Sequence, residues 1–134
     1  MANTLYTGNA LLVYTSIVLA IPALLILLYP RSRSSLYEYS VAIGIVITAC
    51  SSTVYHSIGS DKALNFDLFV RNTFAPLFCL LAILVEANFV PLLFSIVAIV
   101  GHILNKQNKT KKSKCLHHAI FVHLPVLCGF MSFV

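Results

Sequence analysis

The residues able to do chemistry in this chain are few and spaced in a suggestive way. Ser52 and His56 are four apart, Asp67 follows His56 by eleven, His102 stands alone, and His117, His118 and His123 cluster near the end. On a helix, four residues bring Ser52 and His56 within about 40° of one direction, so hydroxyl and imidazole can address one site. The competing reading of Ser52 is a hydroxyl bonded back to a carbonyl of its own helix. A short turn after His56 would return the Asp67 carboxylate beside the imidazole. Arg71, four residues further on the same face, offers Asp67 an intrahelical ion pair instead.

His118 and His123 diverge by about 140° on a regular α-helix. A single π-bulge would align them. Pro125 removes a backbone donor and crowds the carbonyl of Phe121, which gives such a distortion a cause. Without the bulge His117 is the substitute ligand, and an ordinary polar helix start is the alternative for Lys114 and the histidines together. Three imidazoles with a carboxylate and a hydroxyl nearby suit zinc with an open position, where water becomes a nucleophile near neutral pH. Asp67 would take the proton of that water or orient it, Ser52 would donate to the developing oxyanion, and His102 would support a ligand from behind.

Positioning these groups falls to membrane spans. Of 134 residues, 59% are hydrophobic and 10% charged, against roughly 45–50% and about 25% in a soluble domain. That excludes an ordinary soluble protein and leaves room for about five spans of about 20 residues. The expected helices are Ala10–Tyr29, Tyr37–Ile58, Phe66–Val85, Phe89–Leu104 and Cys115–Val134, because lipid cannot hydrogen-bond an open backbone. The fold class is therefore an all-α, polytopic transmembrane helix bundle forming one domain over residues 1–134. The first stretch lacks a basic leader and exceeds the apolar core of a cleaved signal, so it is read as a span. The chain stops at Val134 flush with its last span, as a minimal protein or a truncated relative of a longer one would.

The net charge of +5 comes from nine Lys and Arg against four Asp and Glu. The basic residues sit in loops without interleaved aromatics, which speaks for topology and against nucleic acid as a partner. Lys62, Lys106, Lys109, Lys111, Lys112 and Lys114 fall on one face, Arg31 and Arg33 on the other. The positive-inside rule then makes the Lys-rich face and the N-terminus cytosolic. All five histidines and Asp67 fall in that leaflet, and ionisable groups in spans ordinarily face a bundle interior or a cavity. Asn108-Lys109-Thr110 matches a glycosylation sequon but would face the cytosol unmodified. Cys50, Cys79, Cys115 and Cys128 form no Cys-x-x-Cys pair, which speaks against a disulfide framework.

Taken together, Ser52-Thr53-Val54-Tyr55-His56-Ser57, Asp67, His118 to His123 and Val126-Leu127-Cys128-Gly129 resemble the CREST superfamily of transmembrane hydrolases. That superfamily includes alkaline ceramidases, the PAQR receptors with the haemolysin III group, and GPI-anchor remodelling lipid hydrolases. It carries Ser-x-x-x-His on its second span, Asp at the third and His-x-x-x-His on the last. The resemblance implies that His56, His118 and His123 bind zinc with Ser52 and Asp67 beside it. It also implies a ceramidase-like hydrolase of a lipid amide or ester bond, or else a PAQR-like receptor or lipid-binding protein with a structural zinc. A non-catalytic small helical membrane protein is the further alternative. Here the last pair is one residue longer than the family's, and the chain reads as a reduced version of a seven-span fold. Two fewer spans keep the ligands in one leaflet but remove cavity wall, which self-association or a partner membrane protein would restore. A membrane lipid is the expected substrate or ligand.

Overall fold

The computed structural model of the chain describes residues 8–31 and 33–134, and among these no strand occurs. The helices run α1 (Ala10–Val18), α2 (Ile21–Leu28), α3 (Ser35–Ile58), α4 (Asp61–Glu86), α5 (Val90–Leu104), α6 (Lys111–His118), a π-helical turn (Ala119–His123) and α7 (Leu124–Met131). They make five helical rods long and apolar enough to cross a membrane, α1 with α2 and α6 through α7 each counting as one. The all-α bundle expected from composition is the observed fold.

Several boundaries differ from the expected ones, each for a local reason. The first rod is interrupted at Leu19 and Ala20, whose amides bond to Ser16 and Ile17 in tighter turns. Pro22, in the first turn of α2, has no amide to continue the ladder. The third rod starts at Asp61 rather than Phe66, because Ser60 caps the amide of Ala63 at 3.1 Å. Asp67 therefore lies inside α4 and not at its start. The last rod begins at Lys111, four residues before Cys115, because Thr110 caps Ser113. Lys111 to Lys114, four of the ten residues Asn105 to Lys114 expected as a loop, are thus α-helical, since lysines are good helix formers wherever a cap starts the turn.

Helices in lipid gain little from the hydrophobic effect and associate by close packing. Small residues supply it here. Gly44 of α3 lies under the ring of Phe78, where an added Cβ would come within 2.6 Å of Cζ. Gly101 of α5 meets the π turn closely enough that a Cβ would stand 2.8 Å from Phe121 Cβ and closer still to its carbonyl oxygen. α3 packs against α1, α2 and α4, α5 packs against the π turn and α7, and α4 touches α5 only sparsely. At the end of the bundle away from the histidines, Arg33 pairs with Glu38 at 3.1 Å and Glu86 at 3.0 Å. Tyr37 donates to Glu86 at 2.9 Å, and Arg31 donates to the Val134 carbonyl at 2.8 Å. That network ties α3, α4 and the end of the last rod together.

Candidate metal centre

Three rods deliver the imidazoles to one place. α3 ends with Gly59 in the left-handed region (φ 70°), Ser60 starts α4, and this two-residue reversal folds α4 back along α3. Ser51 and Asp67 lie nearly equal distances from the reversal and meet: the Ser51 hydroxyl donates to Asp67 Oδ1 at 2.9 Å. His56 stands about one turn nearer the end of the bundle.

The last rod brings the other two histidines. The amide of Leu124 reaches back to the carbonyl of Ala119, an i to i+5 bond, so Ala119–His123 is a π turn. This is the distortion that the spacing of His118 and His123 called for, immediately before Pro125. Gly101 makes it possible sterically, because only a residue without Cβ leaves room for the displaced Phe121 carbonyl.

His56, His118 and His123 are all buried. Their ring centroids are 5.5 Å (His56 to His118), 5.1 Å (His56 to His123) and 4.7 Å (His118 to His123) apart. One nitrogen from each lies within 4.8 Å of the others. Two donors bonded to one cation at about 2.0–2.1 Å are at most about 4.2 Å apart. The three rings are thus within a small rotation of closing on an ion, and three imidazoles are a donor set that divalent first-row metals accept.

Two groups that sequence reasoning missed hold this cluster in place. Thr15 Oγ1 donates to the Leu12 carbonyl at 3.2 Å and lies 2.6 Å from His123 Nδ1. A proton so directed lets Thr15 accept from Nδ1–H, the tautomer that would leave the lone pair of His123 on Nε2. Ser16, fully buried, donates to the same carbonyl at 2.7 Å and lies 2.9 Å from Ser52 Oγ. Ser52 therefore donates to Ser16 and not to its own helix, so the back-bonded alternative is not the one observed. A polar Thr-Ser pair inside an apolar span was the available signal.

The remaining candidates separate. Asp67 lines the cavity below the histidines, and among the described residues it forms no ion pair with Arg71. His102 also faces this cavity, its ring 6.3 Å from that of His118, with no hydrogen bond to the cluster. His117 does not serve as the substitute ligand: its Nε2 donates to the Gly101 carbonyl at 2.8 Å and its ring lies against Phe121. The π turn rotates His118 inward and carries His117 to the α5 side. The sequon residues have structural partners, Asn108 donating to Asn105 and Thr110 capping α6.

Below the cluster lies a cavity of about 300 Å³. Its polar end carries Ser52, Asp67, Arg71 and the histidines, and its apolar end is walled by Phe78, Phe130 and Phe133. The chain matches no protein-family model, no curated protein and no solved structure.

Proposed function

We propose that the chain is a zinc-dependent intramembrane hydrolase of a lipid amide or ester bond, a short, five-span relative of the CREST superfamily. The observation that carries this reading is the gathering of three buried imidazoles within ligating reach of one another, with Asp67 and Ser52 lining the same mostly apolar cavity. His56, His118 and His123 would hold zinc, with Thr15 fixing the tautomer of His123. Zinc, when bound, supplies Lewis acidity, polarising an acyl carbonyl and acidifying water.

The chain's own groups supply the rest. Asp67, held by Ser51, accepts a proton from the attacking water and returns it to the departing amine or alcohol, so hydrolysis balances. Ser52 turns its proton from Ser16 toward the oxygen on which negative charge develops. The apolar end of the cavity takes a hydrocarbon chain and excludes water from the reacting bond. By the positive-inside rule the site opens in the cytosolic leaflet.

A second reading, a PAQR-like lipid-binding protein with structural zinc, is favoured by the sparse contact between α4 and α5, which leaves one wall of the cavity thin. Metal analysis of purified protein, followed by lipid hydrolysis assays, separates the readings. Stoichiometric zinc that disappears in both His56→Ala and His123→Ala supports the centre. Hydrolysis lost in Asp67→Asn with zinc retained supports the enzyme over the receptor. Zinc content unchanged by either histidine substitution defeats both readings.

A further inference from the structure

Arg71 is a cation in the membrane-spanning part of α4, one turn and about 6 Å deeper than Asp67. It lines the cavity beside His102 and His118. Among the described residues it has neither an ion pair nor a hydrogen bond. The obvious partner, Asp67, accepts from Ser51 instead. Arg33, the other arginine packed into the bundle, shows what a satisfied guanidinium looks like here: it bonds Glu38 and both oxygens of Glu86.

A guanidinium at this depth is costly unless it is paired or meets water, and it is retained in spans mainly where it has work to do. Snorkelling does not remove it from the site, because the nearest end of the bundle is the one that holds the histidines. Reaching upward brings the fork toward His102 and Asp67. With a divalent cation on neutral imidazoles, the cavity would hold that ion, Arg71 and a single carboxylate, an excess of positive charge in a low-dielectric space. A ligand carrying negative charge would offset it, and the planar fork of Arg binds carboxylate and phosphate through two parallel hydrogen bonds.

We propose that Arg71 is a headgroup-binding residue and that the lipid entering this cavity carries an oxyanion, a phosphate or carboxylate, at the guanidinium while its chain runs toward Phe78 and Phe130. This rests on the hydrolase reading for the ligand being a substrate, whereas recognition of the anion by Arg71 needs no metal.

The test uses the full chain in detergent micelles and two pairs of probes with matched chains. 1-Oleoyl lysophosphatidic acid is compared with 1-oleoylglycerol, and oleate with methyl oleate, binding being read by native mass spectrometry with and without a zinc chelator. At least one anionic probe binds about tenfold or more tighter than its neutral partner. Arg71→Gln abolishes that preference and leaves neutral-probe binding and zinc content unchanged. Arg71→Lys retains part of the preference, which covers the case in which the Gln variant does not fold. Millimolar inorganic phosphate leaves the lipid bound; displacement by it would overturn a lipid as the source of the oxyanion. Equal binding of charged and neutral probes, or a preference that survives in Arg71→Gln, overturns the proposal even if zinc is present. An Arg71-dependent preference in protein that never holds zinc supports it while defeating the hydrolase reading.

Discussion

Replacing Thr15 by Val removes one hydroxyl and keeps the branched shape, so it isolates the bond to His123 Nδ1 at 2.6 Å. In the metal-free protein the loss is small, because His123 can move its proton to Nε2, which faces the cavity. A metal on Nε2 forbids that escape and leaves Nδ1–H buried without its acceptor. The penalty therefore falls on the metal-bound form, and partners of this kind are worth about 10- to 100-fold in affinity, or about 1.4–2.7 kcal/mol. Zinc competition against a chromophoric chelator reads it directly, with Thr15→Ser as the variant that restores the hydroxyl. The expected order is wild type and Thr15→Ser close together, Thr15→Val weaker by that factor, and all three with similar thermal stability without metal. Equal zinc affinity in wild type and Thr15→Val would refute the assignment of His123 as an Nε2 ligand oriented from α1.

Further expectations address separate contacts. His117→Ala keeps zinc stoichiometric, since His117 bonds Gly101 and not the cluster; metal analysis checks it. Asp67→Asn lowers lipid hydrolysis by about 10²- to 10⁴-fold with zinc retained, and Ser51→Ala, which removes the donor to Asp67 but leaves the carboxylate, has a smaller effect. Gly101→Ala forces α5 off the π turn, so it lowers zinc affinity together with thermal stability; a loss of stability with unchanged affinity would separate the turn from the site. Glu86→Gln weakens the half-buried pair with Arg33 and the bond from Tyr37 and costs about 1–2 kcal/mol of stability, without altering zinc binding at the opposite end.

Much of this arrangement was legible in the residues. Hydropathy located all five rods, because a span must bury its backbone polar groups in a helix and therefore needs a long apolar run. The offset of His118 and His123 by five, with Pro125 two residues on, points to a π turn from sequence alone. Helix ends were less legible: Asp61, Lys62 and Lys111 to Lys114 are polar, so a hydropathy window excludes them although Ser60 and Thr110 cap the helices there. Pairings between rods were least legible. Asp67 had the His56 imidazole and Arg71 as expected neighbours, and the bond it accepts instead, from Ser51, depends on the register of α3 against α4. Thr15 and Ser16 stand in an α1 stretch far from every motif. Only packing α1 against α3 and the π turn brings them to Ser52 and His123.

The register that left Arg71 without Asp67 also bears on why the bundle tolerates a thin wall. α3 with α4 and α5 with the last rod form two well-packed units, and the cavity lies between them with the seam of α4 and α5 as one wall. Few helix contacts hold that seam, though Cys79 and Ser95 approach to 3.5 Å across it. Away from the site, Arg31 reaches Val134 and Phe78 packs on Phe130 and Phe133. These contacts clamp the units at the end where no chemistry is proposed. At the histidine end α4 and α5 meet in few contacts, while α1 bridges α3 and the π turn through Ser16–Ser52 and Thr15–His123. Lipid entry along this seam, which the proposed function requires, needs the helices pinned elsewhere, and the contacts at the far end together with the α1 bridge supply that. Weakening the α3–α4 unit through Glu86 should therefore lower stability before it changes metal affinity, whereas bulk added at the seam should impede the proposed lipid entry and leave both untouched.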